Sequence, residues 1–236
     1  MAAVRRRRAL RKPPRWVWFA PLGIALLLLA YIFLLGAPPP GTDPALLFND
    51  PATTIWRNSP IQYMFVGTMS QISAVMWLIG ASLSLFAVLS LWRVGRAVRL
   101  TAFLAAFSVL GFVMGFDDLL VFHERIVQDL SGGVIGQHHL LLLYAVMWAA
   151  FFVVFRRDAL RTAPAFLAVM LALLGMSYSM DIATDLLPFI DLSAYKAQLD
   201  LVEEGLKFLG TVAFATASLR LALIGLDASR QQPPSE

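Results

Sequence analysis

Cysteine is absent from the 236-residue chain, and histidine occurs only 3 times. Without thiols, the sequence excludes disulfides, thiolate nucleophiles, and zinc or iron–sulfur sites built on cysteine. Charged residues are also few, at 14% of the chain, whereas hydrophobic residues make up 59%. This balance, with a mean hydropathy of +0.72, is typical of integral membrane proteins.

The formal net charge of +4 does not by itself indicate a nucleic-acid partner. The basic residues lie between apolar segments, where they act as topology signals. We therefore expect the lipid bilayer as the environment of the chain and no nucleic-acid partner.

Six apolar segments, each about 20 residues long, can cross a bilayer as helices. They predict an all-α fold, a polytopic integral membrane six-helix bundle, within a single transmembrane domain at 16–224. The predicted spans are 16–35, 71–91, 101–122, 138–155, 163–187 and 201–223. The remaining segments are a basic N-terminus, an outer loop and a disordered tail, at 1–15, 37–67 and 225–236.

The first span follows four consecutive arginines, as a signal sequence does, but Gly36-Ala-Pro-Pro-Pro-Gly41 is a poor cleavage site. We therefore expect a retained membrane anchor. Orientation follows from the basic residues, because 15 of the 19 Lys and Arg residues fall on the side of the N-terminus. This bias predicts cytoplasmic N- and C-termini, in what we expect to be a bacterial cytoplasmic (inner) membrane.

Ionisable side chains collect at one end of the predicted spans, most densely in the stretch 115–124. A charged group at bilayer depth costs about 2.5–3.5 kcal/mol, so such groups need partners. The 1.5 Å helical rise brings polar groups from four helices to one layer, which faces the extracytoplasmic side in this topology. Helical phase puts Asp117 and Glu124 on one face of the third span and turns Asp118 and His123 away from it.

Carboxylates and imidazoles in a chain without cysteine suit zinc, iron or manganese. The predicted metal ligands are Asp117, His123, His138, His139, Asp181, Asp185, Glu203 and Glu204. The predicted catalytic residues are Asp118 and Glu124, as general bases, and Lys207, which neutralises a carboxylate. In the structural alternative, Glu203, Glu204 and Lys207 form a buried ion pair that ties the sixth span to the third.

The stretch Glu203-Glu204-Gly-Leu-Lys207 resembles the Glu-Glu-x-x-Lys motif of PrsW-type intramembrane proteases. More loosely, it is similar to the Glu-Glu-x-x-x-Arg motif of the CAAX-protease-like family. The other polar motifs of those families do not follow it here. The resemblance implies that a glutamate pair within a membrane can act as a base or a metal ligand.

Three classes of function fit these residues. The first is a metal-dependent enzyme that acts on a lipid or lipid-linked substrate at the outer leaflet. The second is a proton-coupled transporter or channel that uses the carboxylate–Lys207 cluster. The third is a non-enzymatic membrane assembly or partner-binding protein, held together by its polar layer.

Overall fold

The computed structural model describes residues 19–35, 68–93, 98–120, 122, 126–186 and 196–230. Its six long helices are α1 Ala20–Leu35, α2 Thr68–Trp92, α3 Val98–Leu120, α4 Gln137–Thr162, α5 Pro164–Leu186 and α6 Lys196–Arg230. A one-turn helix, Val127–Leu130, lies between α3 and α4. The predicted all-α class is therefore confirmed over the described ranges, which contain no strand.

Four helices are long and apolar enough to cross a membrane, judged by length and composition. The segments are Ser70–Trp92, Val98–Leu120, His139–Thr162 and Val202–Ala228. In α1 and α5 the apolar stretches are shorter, at Ala20–Ala30 and Pro164–Met180. A helix suits lipid because it satisfies its backbone hydrogen bonds internally. These features are those of a helical membrane protein, whereas six spans and cytoplasmic termini stay predictions.

Helix α4 continues past the predicted end of its span at residue 155. It reaches Thr162, with non-helical backbone angles at Phe155 (φ −106°, ψ 18°). Arg156, Arg157 and Arg161 therefore lie on the helix rather than in a loop after it. Hydropathy marks where apolar sequence ends, but Arg, Ala and Leu favour a helix beyond that boundary as well.

Helix α6 is the longest, with 35 residues, and it also extends beyond its predicted span. Its last turns reach Arg230, inside the segment 225–236 that we predict as disordered. α6 packs against α1, α2 and α5, and α2 packs in turn against α3. The bundle is therefore assembled around α6.

Aromatic rings fill the centre of the bundle and join four helices. Phe214 of α6 lies 4.4 Å from Trp77 of α2 and 4.7 Å from Phe107 of α3, measured between ring centroids. Trp148 of α4 lies 5.9 Å from Phe107 and 6.3 Å from Trp77. Such ring pairs add about 0.5–1.5 kcal/mol each beyond their buried area. The rings fix the rotation of α2, α3, α4 and α6, and hence the direction of side chains further along them.

Two glycines give Phe214 its place between α2 and α3. A Cβ atom on Gly80 would lie 2.6 Å from Phe214 Cε1, and one on Gly111 would collide with Phe214 Cζ. Both helices therefore approach α6 closely only because these positions carry no side chain.

Candidate functional site

Lys207 of α6 forms a buried ion pair with Asp118 of α3. Its Nζ atom lies 3.0 Å from Asp118 Oδ1, and the two side chains are 10% and 2% exposed. Glu204, one turn earlier on α6, places Oε1 at 3.8 Å from the same ammonium group. Lys207 therefore interacts with two carboxylates and links the end of α3 to α6.

Asp117, the neighbour of Asp118, faces a different helix. Its Oδ1 accepts a hydrogen bond of 2.8 Å from the Tyr144 hydroxyl of α4, and Asp117 is 4% exposed. Successive side chains on a helix point about 100° apart, because 3.6 residues complete one turn. The Asp-Asp pair thus connects α3 with α4 through one carboxylate and with α6 through the other.

Helix α5 contributes a second tyrosine. The Tyr178 phenol interacts electrostatically with Asp118, Asp117 and Lys207. We define the polar cluster as Asp117, Asp118, Tyr144, Tyr178, Glu204 and Lys207. It draws on four consecutive long helices, α3 to α6.

The polar cluster holds more acid than base, with three carboxyl groups and one ammonium group. Within the described part of the chain, the buried Asp118 Oδ2 accepts no hydrogen bond. A buried carboxylate oxygen without a donor is costly unless a proton, a cation or a further donor compensates it. Asp118 Oδ2 is therefore chemically suited to take up a proton.

Residues 19–221 match a protein family described as a domain of unknown function, DUF8692. The chain belongs to this family. All six residues of the polar cluster lie within the matched range. No curated protein and no solved structure matches the chain. The resemblance of 203–207 to intramembrane proteases thus stays a prediction.

The DUF8692 domain brings together Asp117, Asp118, Glu204 and Lys207, four of the residues that the sequence singles out. Their predicted roles as metal ligands or catalytic groups stay predictions. Asp118 lies on a different face of α3 from Asp117, as helical phase indicates, and its side chain is buried against Lys207. Helical phase gives the angle between the two side chains, but it does not show that Lys207 is the partner of Asp118.

Two other candidates of the DUF8692 domain lie near helix starts. His139 is exposed, and its Nδ1 accepts a hydrogen bond of 3.2 Å from the Gly136 backbone N–H at the start of α4. Glu203 is half-buried on α6, next to Glu204 of the polar cluster. The side chains of five further candidates lie outside the described residues: His123, Glu124, His138, Asp181 and Asp185.

Among the side chains that the structure describes, no group of three or more His, Asp or Glu residues is arranged to hold a metal ion. In the polar cluster, the Lys207 ammonium lies near Asp118 Oδ1 and Glu204 Oε1. A metal ion bound by Asp118 and Glu204 would need these same oxygen atoms. Zinc, iron or manganese at the predicted ligands stays a prediction.

Sequence reasoning missed the two tyrosines of the polar cluster. Tyr144 lies inside an apolar span, between residues that look like ordinary lipid-facing or core positions. Depth in the membrane could have identified Tyr144. Tyr144 and Asp117 lie on neighbouring antiparallel spans, at similar distances from the predicted outer boundary of the bilayer. A hydroxyl at the level of a buried carboxylate is an obvious donor to it.

Proposed function

We propose that this protein binds a proton in its polar cluster and uses it in a proton-coupled process across the membrane, such as transport. One observation carries the proposal: the buried Lys207 Nζ lies 3.0 Å from Asp118 Oδ1 and 3.8 Å from Glu204 Oε1. On the strength of the arginine bias, the proposal puts this cluster on the extracytoplasmic side.

The Lys207 ammonium lies near two carboxylates, those of Asp118 and Glu204, and a third carboxylate belongs to Asp117, the neighbour of Asp118. Asp118 and Lys207 are buried, where the dielectric constant is low. Neighbouring carboxyl groups can share a proton. In this proposal, the polar cluster binds one proton in this way and releases it when the pH changes.

Two tyrosines lie beside the carboxylates of the polar cluster. The Tyr144 hydroxyl donates to Asp117, and the Tyr178 phenol lies within electrostatic range of Asp118. Hydroxyl groups both donate and accept hydrogen bonds, so they can pass a proton between neighbouring oxygens. Asp118 Oδ2, which accepts no hydrogen bond from the described residues, is the proton acceptor in this proposal.

The test is a pH titration of the purified protein in lipid nanodiscs, followed by the infrared absorption of protonated carboxyl groups. We expect the wild-type protein to show a titrating carboxyl band that Asp118→Asn shifts or removes. Asp158→Asn is the matched control, because Asp158 is an acid with an arginine partner, Arg99, far from the cluster. This control leaves the band unchanged.

An unchanged band in Asp117→Asn, Asp118→Asn and Glu204→Gln alike would refute proton binding by the cluster. A further check reconstitutes the protein in vesicles with an imposed pH gradient. Proton movement that depends on Asp118 supports coupling to transport, whereas a titrating band without such movement restricts the role to proton binding.

A metal-dependent enzyme acting on a lipid-type substrate is the second candidate. It is favoured by the position of Asp181 on α5, one turn beyond Tyr178, with Asp185 a further turn along. Metal analysis of the intact protein, with Asp181→Asn as the comparison, tests this candidate. A stoichiometric transition metal that the variant loses would support the enzyme, and its absence in the wild-type protein would refute it.

A further inference from the structure

A narrow groove lies between α4 and α5, close to the turn that joins them. Its volume is about 240 Å³, and apolar side chains form most of its lining. These include Phe152, Leu160, Leu167, Ala168 and Leu171, and the one charged side chain in the lining is Arg156. The groove is separate from the polar cluster, whose α4 and α5 residues lie towards the other ends of these helices.

The surroundings of the groove are basic. Arg156 is exposed, as are Arg157 and Arg161 on the same end of α4. Leu160, at the rim, is 70% exposed. The groove thus combines an apolar slot with arginine side chains at the level where the apolar sequence of α4 ends.

We propose that this groove binds one anionic phospholipid, with an acyl chain between α4 and α5 and the headgroup phosphate against Arg156. An arginine guanidinium donates paired hydrogen bonds to phosphate oxygens, which matches this ligand. Basic pockets between transmembrane helices on the cytoplasmic side are suited to anionic headgroups. The arginine bias predicts that side for this end of α4.

The size of the groove fits one flexible chain. Pockets that enclose a drug-sized ligand measure roughly 300–1,000 Å³. At about 240 Å³, the groove is smaller and can take part of an acyl chain while the rest of the lipid stays in the bilayer. Charge complementarity and size together favour an anionic lipid over a neutral lipid or a partner helix.

The test is native mass spectrometry of the full-length protein in detergent, titrated with phosphatidylglycerol and with phosphatidylcholine of the same chain length. We expect the wild-type protein to prefer phosphatidylglycerol. Arg156→Gln should weaken phosphatidylglycerol binding by roughly fivefold, because one basic residue near a membrane surface contributes about that factor. The matched control is Arg93→Gln, which removes an exposed arginine outside the groove and should leave binding unchanged.

A second variant separates the apolar slot from the charge. Ala168→Trp fills the groove and should weaken both lipids, whereas Ala150→Trp puts the same side chain at an exposed position of α4 outside the lining. Equal affinity for the two lipids in the wild-type protein would overturn the proposal. So would unchanged binding in Arg156→Gln, or an Ala168→Trp variant that alters only the oligomeric state, since that outcome points to a protein partner.

Discussion

Helix α3 carries an ion pair near each of its ends, and the two pairs differ in how far they are exposed to solvent. Near its start, Arg99 Nε lies 2.8 Å from Asp158 Oδ2 of α4, with side chains 61% and 18% exposed. Near its end, Asp118 pairs with Lys207 of α6, and these side chains are 2% and 10% exposed. Arg99 and Asp118 lie about 28 Å apart by helical rise, close to the thickness of a bilayer core.

The two ion pairs have similar N–O distances, 2.8 Å and 3.0 Å, but their surroundings give them different strengths. Water and salt screen the Arg99–Asp158 pair, which makes it a weak tether between α3 and α4. Burial removes that screening from the Lys207–Asp118 pair, so each charge depends on the other. The buried pair lies beside two further carboxylates, those of Asp117 and Glu204, with which it forms the polar cluster.

The largest effect is expected from Lys207→Met. Removing the ammonium group leaves the buried Asp118 carboxylate without the Lys207 cation, at a cost of about 3–5 kcal/mol in the free energy of unfolding. The Asp118 carboxylate of this variant can regain neutrality by binding a proton in the folded state. The loss should therefore be smaller at low pH and grow as pH rises.

Equilibrium unfolding in mixed detergent micelles at several pH values measures this effect. The double variant Asp118→Asn/Lys207→Met should recover part of the lost stability, because it removes both charges of the pair. A loss below about 1 kcal/mol at neutral pH would mean that the buried pair behaves like an exposed one.

Tyr144→Phe tests the second link of the polar cluster. It removes the hydroxyl that donates to Asp117 and should cost about 1.5–3 kcal/mol, the range for a hydrogen bond to a charged group. The ring remains, so aromatic packing is preserved. The same unfolding measurement checks this value. An unchanged free energy of unfolding would show that the Tyr144 hydroxyl does not stabilise the polar cluster.

The packing between the two ends of α3 is tested by a pair of glycine substitutions. Gly111→Ala forces a Cβ against Phe214 Cζ and should destabilise the protein by about 1–3 kcal/mol through overpacking. Gly175→Ala is the matched control, since a Cβ at this helical position meets no atom within 4 Å. Alanine favours a helix over glycine by roughly 1 kcal/mol, so the control should be neutral or stabilising. Equal effects of the two substitutions would contradict the close approach of α3 to α6.

The smallest effect is expected from Arg99→Gln. Exposed ion pairs contribute about 0–1 kcal/mol, and added salt lowers that contribution further. Unfolding at low and high salt should therefore show a small loss that vanishes as salt is added. A loss that persists at high salt would show that the two ion pairs of α3 are less different than their exposure indicates.

Much of the helical architecture follows from the sequence, because apolar runs long enough for a bilayer leave the backbone few alternatives to a helix. The ends of helices are less predictable. The predicted spans of α4 and α6 end at residues 155 and 223, yet the helices continue to Thr162 and Arg230. Hydropathy reports the boundary between lipid and water, which is not the boundary of the helix.

The polar cluster could be predicted in part. Depth along antiparallel helices brings Asp117, Glu204 and Lys207 to one layer, and the structural alternative of an ion pair from the sixth span to the third describes Lys207–Asp118 well. The direction of Asp118 could not be derived, because the rotation of α3 depends on how Phe107 packs against Phe214. Side-chain packing of that kind has no periodic signal in the sequence.

A double-mutant cycle on each of the two ion pairs measures how strongly its two charges depend on each other. We predict a coupling of about 2–3 kcal/mol between Asp118→Asn and Lys207→Met, because each buried charge relies on the other. The cycle of Asp158→Asn with Arg99→Gln should give less than about 1 kcal/mol. Additive effects of Asp118→Asn and Lys207→Met would contradict the account, since the polar cluster would then have no energetic coupling at its centre.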